Sequence, residues 1–287
     1  MKLMSRLIPT RRLTHALLPA ARYSVLSVMA IVSVFPFFWM FSSSLRPPQE
    51  VWLFPPKLFP SRLSLGYMER IILHNTFVNN LLNSLIISLS VTILAITFSI
   101  AAGYSISRFK YRGRRLIARL ILIAYMFPPV LLIIPMFRVM AELHLVNTRI
   151  GLIIAQLAFC FPYATWLLDA YFTTIPRELD EAAGIDGASP LGALVRIIIP
   201  LAGPGIVAAT VFSFILSWND FIFSLVLATA AEIRPLAIGL YQQSGGDLMV
   251  WGDIMAWSGL MTLPIFVFFL ALQKQFIYGL TAGSIKG

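Results

Sequence analysis

Apolar residues in this chain fall into six long runs, at about 23–45, 81–106, 116–137, 152–172, 202–227 and 254–273. A helix of about 20 residues spans the ~30 Å hydrocarbon core of a bilayer. The pattern therefore predicts six transmembrane helices and an all-α integral membrane fold. Pro36, Pro128, Pro129, Pro135 and Pro264 interrupt several runs. Such breaks are tolerated where neighbouring helices re-satisfy the backbone, which favours a packed bundle over isolated helices. Asp169 and Arg119 sit near run ends, where long side chains reach water cheaply. Asp220 is the one acid well inside a run.

The polar segment EAAGIDGASPLGALVRIIIPLAGPG, residues 181–205, stands apart from these runs. Pro176 suits a first helical turn, and Glu178, Asp180 and Glu181 suit that helix's positive end. Gly184 and Gly187 bracket Ile185-Asp186, which predicts a break where a positive φ is allowed. Ser189-Pro190 restarts the chain as an N-cap followed by proline at the first helical position. Leu191, Leu194, Val195 and Ile198 then recur at i, i+3, i+4 and i+7, an apolar stripe ended by Pro200. Two short helices meeting at a glycine elbow fit two readings. They make either an amphipathic connector on the membrane or a docking knob whose small residues let another protein approach.

Composition supports the membrane assignment: 59% of the 287 residues are hydrophobic and 12% are charged. Soluble domains carry about 25% charge. Mean hydropathy is +0.84. The net charge of +10 comes from short basic runs flanking apolar stretches, which argues against nucleic-acid binding. The single Cys160 excludes an internal disulfide. His15, His74 and His144 share no metal-ligand spacing, so neither a metal site nor catalysis is expected.

Lysine and arginine placement predicts the topology. One side gathers fifteen: Lys2, Arg6, Arg11, Arg12 and Arg22; Arg108, Lys110, Arg112, Arg114, Arg115 and Arg119; Arg177 and Arg196; Lys274 and Lys286. The other has seven: Arg46, Lys57, Arg62, Arg70, Arg138, Arg149 and Arg234. The positive-inside rule then puts both termini and the 173–201 loop in the cytoplasm. The first run is too long for a cleaved signal and lacks an A-x-A site, so it is expected to be an uncleaved signal anchor.

The expected organisation is a basic cytoplasmic N-terminus (1–22), a first transmembrane helix (23–45) and an extracytoplasmic loop (46–76). A transmembrane core (77–273) containing the 173–201 loop follows, and then a cytoplasmic tail (274–287).

Glu181-Ala182-Ala183, Gly187 and Ile197 to Pro200 resemble the EAA loop of binding-protein-dependent ABC importer permeases. The I-P-x-E-L-x-E-A-A-x-I-D-G-A-S form, the terminus YGLTAGSIKG (278–287) and the proline-rich segment 45–67 resemble the carbohydrate-uptake branch, of the second maltose-permease type. The likeness covers nearly the whole chain. It implies a type I ABC importer transmembrane fold in an inner membrane, with a cytoplasmic EAA coupling helix. By this resemblance Glu181, Ala182, Ala183, Gly184, Asp186, Gly187 and Ser189 would contact the ATPase. Thr281, Gly283, Lys286 and Gly287 would touch it from the tail, the alternative being a disordered end. The implied partners are a second permease subunit, a dimeric cytoplasmic ATPase, an extracytoplasmic solute-binding protein and membrane lipid. No G-x-x-x-x-G-K-[ST] phosphate loop is present. ATP and Mg are accordingly expected on the partner ATPase, with no cofactor in this chain.

An ionisable group at membrane depth is a functional candidate by default. Asp220 lies about 24 Å along a helix counted from Pro204 at 1.5 Å per residue. Trp218 could stack on a sugar, and Asn219 and Asp220 could bond its hydroxyls. Alternatively, Asn219 and Asp220 bond a neighbouring helix or subunit. Asn79, Asn80, Asn83 and Ser84 suit capping and interhelical bonding, with pore lining by Asn83 as the second reading. The loop 228–253, with Ser244-Gly245-Gly246-Asp247, either reaches the binding protein or covers the bundle. Arg46, Glu50 and Glu69 are candidates for docking that protein. The function these readings imply is ATP-driven import of a sugar or oligosaccharide by alternating access. The alternatives are a non-sugar ABC permease and an ion-coupled secondary transporter, which should show repeated halves and several midplane acids.

Overall fold

A computed structural model of the chain describes residues 10–73, 76–244 and 250–282, with side chains between residues 22 and 274 of that set. Every regular element among them is helical. The order is α1 (Thr10–Ser44), α2 (Gly66–Leu73), α3 (Thr76–Arg108), α4 (Arg114–Met126), α5 (Ile133–Glu142) and α6 (Arg149–Thr174). There follow α7 (Glu178–Ile185), α8 (Pro190–Ala193), α9 (Ile199–Leu201), α10 (Gly203–Trp218), α11 (Ile222–Leu227), α12 (Leu236–Ser244) and α13 (Trp251–Ala282).

Among the described residues four helices are long and apolar enough to cross a membrane, at Arg22–Ser44, Thr76–Arg108, Arg149–Thr174 and Trp251–Lys274. The total reaches six only if two bent pairs each count as one span. The run expected at 116–137 is one of them, bent by 94° between Met126 and Pro129. The cause is local: Phe127, preceding Pro128, is driven to extended geometry at φ −73° and ψ 127°, and neither proline can donate to a helix. The other pair bends by 79° at Ala202, between Pro190–Leu201 and Gly203–Trp218. The run at 202–227 is not one helix either. It stops at Trp218 and resumes at Ile222, so Asp220 lies in a break and not within a helix.

The chain divides into two compact units. One comprises residues 1–70 and 250–259. There Arg46 is buried, with its guanidinium 4.6 Å from the Trp39 ring centroid, and it donates to the carbonyls of Lys57 and Leu58. Ser42 donates to the same Leu58 carbonyl at 2.7 Å. Arg46 therefore folds the loop and is not available for docking a partner. Glu50 accepts from the Ser61 hydroxyl and amide, which hold its carboxyl below the usual range. Glu69 is exposed on α2. Tyr67 is buried against Gly252, where a Cβ would run into its ring.

The second unit, residues 71–249 and 260–287, is built on α3, α6 and α10. One buried cluster joins Ile87, Val91 and Ala95 of α3 to Leu152 and Ala155 of α6 and to Phe223 and Leu227 of α11. Another joins Ile96 and Tyr104 to Leu168 and Phe172, and to Leu194, Ile198 and Ala209. Lipid tails give no hydrophobic drive for helices to pair, so close packing and interhelical hydrogen bonds must do it. Both are present. Thr165 donates to Ser99 at 2.9 Å, and Ser99 donates to the Phe161 carbonyl at 3.1 Å. A Cβ on Gly103 would lie 3.1 Å from the Asp169 backbone nitrogen and 3.3 Å from the Leu168 Cβ.

A side chain there would press on α6, and its backbone would have to give by a few tenths of an ångström. Gly103→Val should destabilise the unit by about 1–3 kcal/mol through overpacking. Gly184→Ala, where a Cβ meets open space, should be near neutral. Thermal unfolding of the purified variants in detergent tests the pair. Equal melting curves would show that the α3–α6 approach is not a packing constraint.

Candidate functional site

The segment between α6 and α10 folds as two short helices around a glycine elbow. Glu178, Asp180 and Glu181 occupy the first turn of α7. Pro176 precedes that helix by two residues, and Arg177 stands at its N-cap position. Gly187 makes the turn at φ +80°, a left-handed conformation that side chains resist. Ser189 then caps α8 by accepting from the Gly192 amide at 3.1 Å, with Pro190 next. Glu181, Ala182, Gly184, Asp186, Gly187 and Ser189 are exposed, whereas Ala183 is buried. Ile185, at the tip, is 88% exposed.

The expected apolar stripe is divided. Leu194 and Ile198 are buried, but Leu191 and Val195 face outward. Residues Leu194–Ile198 form a π-turn, wider than an α-turn, so the 3.6-residue spacing no longer holds one face.

This segment is bolted to the far end of α3. Arg108 and Asp180 approach to 3.0 Å as an ion pair, without the alignment of a linear hydrogen bond. Another guanidinium nitrogen of Arg108 donates to the Ile175 carbonyl at 2.9 Å. The Tyr104 hydroxyl lies 3.0 Å from an Asp180 oxygen and 3.4 Å from the Pro190 carbonyl. Arg177 returns the connection by donating to the Ser107 carbonyl at 2.7 Å. These groups line a cleft of about 460 Å³ with Lys110 and Glu181 on its wall. Sequence reasoning counted Arg108 and Arg177 only as topology markers and missed the clamp. Its partners are 72 and 70 residues apart in sequence, a separation without any periodic signal.

A second constellation sits where helices break. Asp220 accepts from the Phe223 amide at 3.3 Å and from the Ser224 amide at 3.0 Å and hydroxyl at 2.8 Å. It thereby caps the start of α11, satisfying amides that have no helical carbonyl. From α6, Gln156 donates to Asp220 at 3.0 Å and accepts from Ser217 at 2.5 Å. A cavity of about 560 Å³ opens beside this network, between α4, α6 and the α10–α11 break. Asn219 is exposed on its wall. Trp218 does not offer its ring there. It is 1% exposed and stacked on Phe214 at 5.4 Å, which in turn stacks on Phe268 at 4.1 Å.

Asn83 is fully buried at a third place. Its amide donates to the carbonyls of Glu232 and Arg234 at 2.8 and 3.1 Å, and its oxygen accepts from Arg149 at 2.9 Å. Asn79 donates to Ala231 and Glu232, and Ser84 accepts from the Leu236 amide. The polar start of α3 thus holds the 228–236 segment. Gly245, Gly246, Asp247, Gly283, Lys286, Gly287 and the side chain of Thr281 lie outside the described residues.

Residues 95–277 match the family model described as the binding-protein-dependent transport system inner membrane component. The trehalose transport system permease protein SugB of Mycobacterium tuberculosis is 36% identical over 271 residues, 93% of this chain and 98% of that protein. The trehalose/maltose transport system permease protein MalG of Thermococcus litoralis is 36% identical over 264 residues, 91% of this chain and 94% of that protein. A bacterial ABC transporter that imports the acidic polysaccharide alginate shares the fold at a TM-score of 0.78 and 23% identity. It covers 91% of this chain and 97% of the solved one.

Removing one partner of a buried ion pair is costlier than removing both, since it strands a charge. Arg108→Gln should lower stability by about 3 kcal/mol or somewhat less, because the cleft admits water to Asp180. Asp180→Asn in the same chain should recover part of it. A double-mutant cycle read by thermal unfolding measures the coupling, and strictly additive effects would show no interaction between the two.

Proposed function

The chain belongs to the family of binding-protein-dependent transport system inner membrane components, and from that premise we propose that it is the permease subunit of an ATP-driven sugar importer. Relatives at 36% identity are named for trehalose and for trehalose/maltose transport, which supports a neutral oligosaccharide as cargo. The observation that carries the mechanism is the elbow at Gly187, with Glu181, Ala182, Gly184 and Asp186 exposed around it and Asp180 anchored beneath.

In this reading the elbow is the coupling element and docks on a separate ATPase subunit, which binds ATP and Mg. Ser189 fixes the start of the second short helix, and Ala183 packs the elbow onto its own base. Both termini and the elbow face the cytoplasm, in keeping with the fifteen-to-seven bias of basic residues. The tail around Thr281, Gly283, Lys286 and Gly287 adds a further ATPase contact. A second permease subunit completes the pathway, and an extracytoplasmic binding protein delivers the sugar. When the ATPase subunits close, the elbow moves with them. The Arg108–Asp180 and Arg177–Ser107 links carry that motion to α3, and α3 carries it to α6 and α10 through their shared core. Movement of packed helices as rigid bodies then alternates access to the cavity beside Asp220.

Gly187→Asp places a side chain at φ +80°, and Glu181→Lys reverses a charge on the docking face. In proteoliposomes holding the whole transporter, each should reduce uptake and substrate-stimulated ATP hydrolysis by at least about tenfold, the effect of a lost ~1.4 kcal/mol contact. Membrane insertion, followed by immunoblot of membrane fractions, should be unchanged. Normal coupling in both variants would overturn the docking assignment.

A further inference from the structure

The cavity beside Asp220 has a composition that says what it can hold. Its volume of about 560 Å³ lies within the ~300–1,000 Å³ of small-molecule sites. Four aromatic residues line it, Tyr125, Phe159, Phe221 and Phe223, and each packs on another ring. Tyr125 stacks on Trp166 at 6.4 Å, Phe159 on Phe223 at 5.1 Å, and Phe221 meets Tyr241 edge-on at 5.4 Å. Rings held by other rings present flat apolar walls at little cost in rotamer entropy.

The polar groups are few and have capacity left. One Asp220 oxygen takes three of the four hydrogen bonds the carboxylate accepts, while the other takes only the long one from the Phe223 amide. A carboxylate offers about four acceptor sites, two on each oxygen, so the three donors crowd the first oxygen while the second keeps a site for a further donor. Asn219 spends one amide hydrogen on the Ile215 carbonyl, leaving an N–H and the oxygen. Among the lining residues Asp220 is the single formal charge, and no lysine, arginine or histidine stands on the wall.

Flat apolar walls, one open carboxylate oxygen and one open amide match a molecule with apolar ring faces and hydroxyl donors at its edge. We propose that the cavity between α4, α6 and the α10–α11 break is a subsite for an uncharged sugar ring within the transport path, and that Asp220 excludes anionic sugars there. Aromatic faces take the ring, Asp220 accepts from one hydroxyl, and Asn219 bonds another. A uronate or sulfonate would bring a second negative charge beside Asp220, with no cationic side chain on the wall to offset it. The inference rests on the sugar-importer reading and adds to it a contact in this subunit and a charge selectivity.

The test uses the complete transporter in proteoliposomes with Met126→Cys as a reporter in a Cys160→Ser background. Met126 lines the cavity, is exposed, and takes no part in the polar network. Labelling by a small neutral methanethiosulfonate is timed during ATP turnover, with trehalose, maltose or an alginate-derived acidic disaccharide, and uptake is measured alongside. A transported neutral sugar should slow labelling, and the acidic disaccharide should leave it unchanged. Asp220→Asn should weaken protection by about tenfold, as expected for one hydrogen bond to a charged group. Asn219→Ala, whose own bond is local to its helix, should weaken it severalfold and guards against a folding defect in the first variant. Uptake of a neutral sugar without protection would overturn the subsite and leave the importer reading standing. Equal protection by the acidic disaccharide would overturn the charge selectivity. Absence of both uptake and protection with either neutral sugar would sink this inference together with the sugar reading beneath it.

Discussion

An amide that has lost its helical carbonyl inside a membrane must find another acceptor, because no water is at hand to supply one. At the break after Trp218 that acceptor is Asp220. Its carboxylate caps α11 and takes a donor from Gln156 of α6, so the break is held against a continuous helix. The cavity opens at that break, with Asn219, Phe221 and Ile222 on its border. Structure and candidate function therefore depend on the same carboxylate.

The second dependence runs through the other end of α3. The elbow is covalently tied to α6 and α10, yet its strongest side-chain links are to α3, through Arg108, Tyr104 and Arg177. Two of these links end on backbone carbonyls, Ile175 and Ser107, near chain reversals where helical partners run out. A segment anchored this way is held to the helix core, while Ala182, Gly184 and Ile185 stay exposed at its tip.

Local signals were legible in the chain. Ser189-Pro190 predicted the cap and first turn of α8, and Gly187 predicted a left-handed turn; both follow from chemistry within four residues. The family likeness rested on similarly local motifs. Other features were hidden because they depend on register or distance. The stripe at Leu191, Leu194, Val195 and Ile198 assumed a constant 3.6-residue turn, and a π-turn divided it. Trp218 looked open to a ligand, but which face of α10 turns toward Phe268 is not written in its neighbours. Arg46 was read as a surface charge, although Trp39 and two loop carbonyls enclose it.

The sequence by itself determined that the chain is helical and membrane-embedded, with one structured polar insert, since apolar run length and turn chemistry are properties of neighbouring residues. It marked Pro128-Pro129 as a disturbance, but composition alone did not distinguish a kink from a 94° bend. Only the tertiary structure decided which breaks open a cavity, which acid caps a helix and which arginine carries the elbow. The cap is local, but what holds it and the elbow in place are pairings between residues some 60 to 80 positions apart, Gln156 with Asp220 and Arg108 with Asp180. Such pairs are chosen by how three helices pack, and packing leaves no period along the chain.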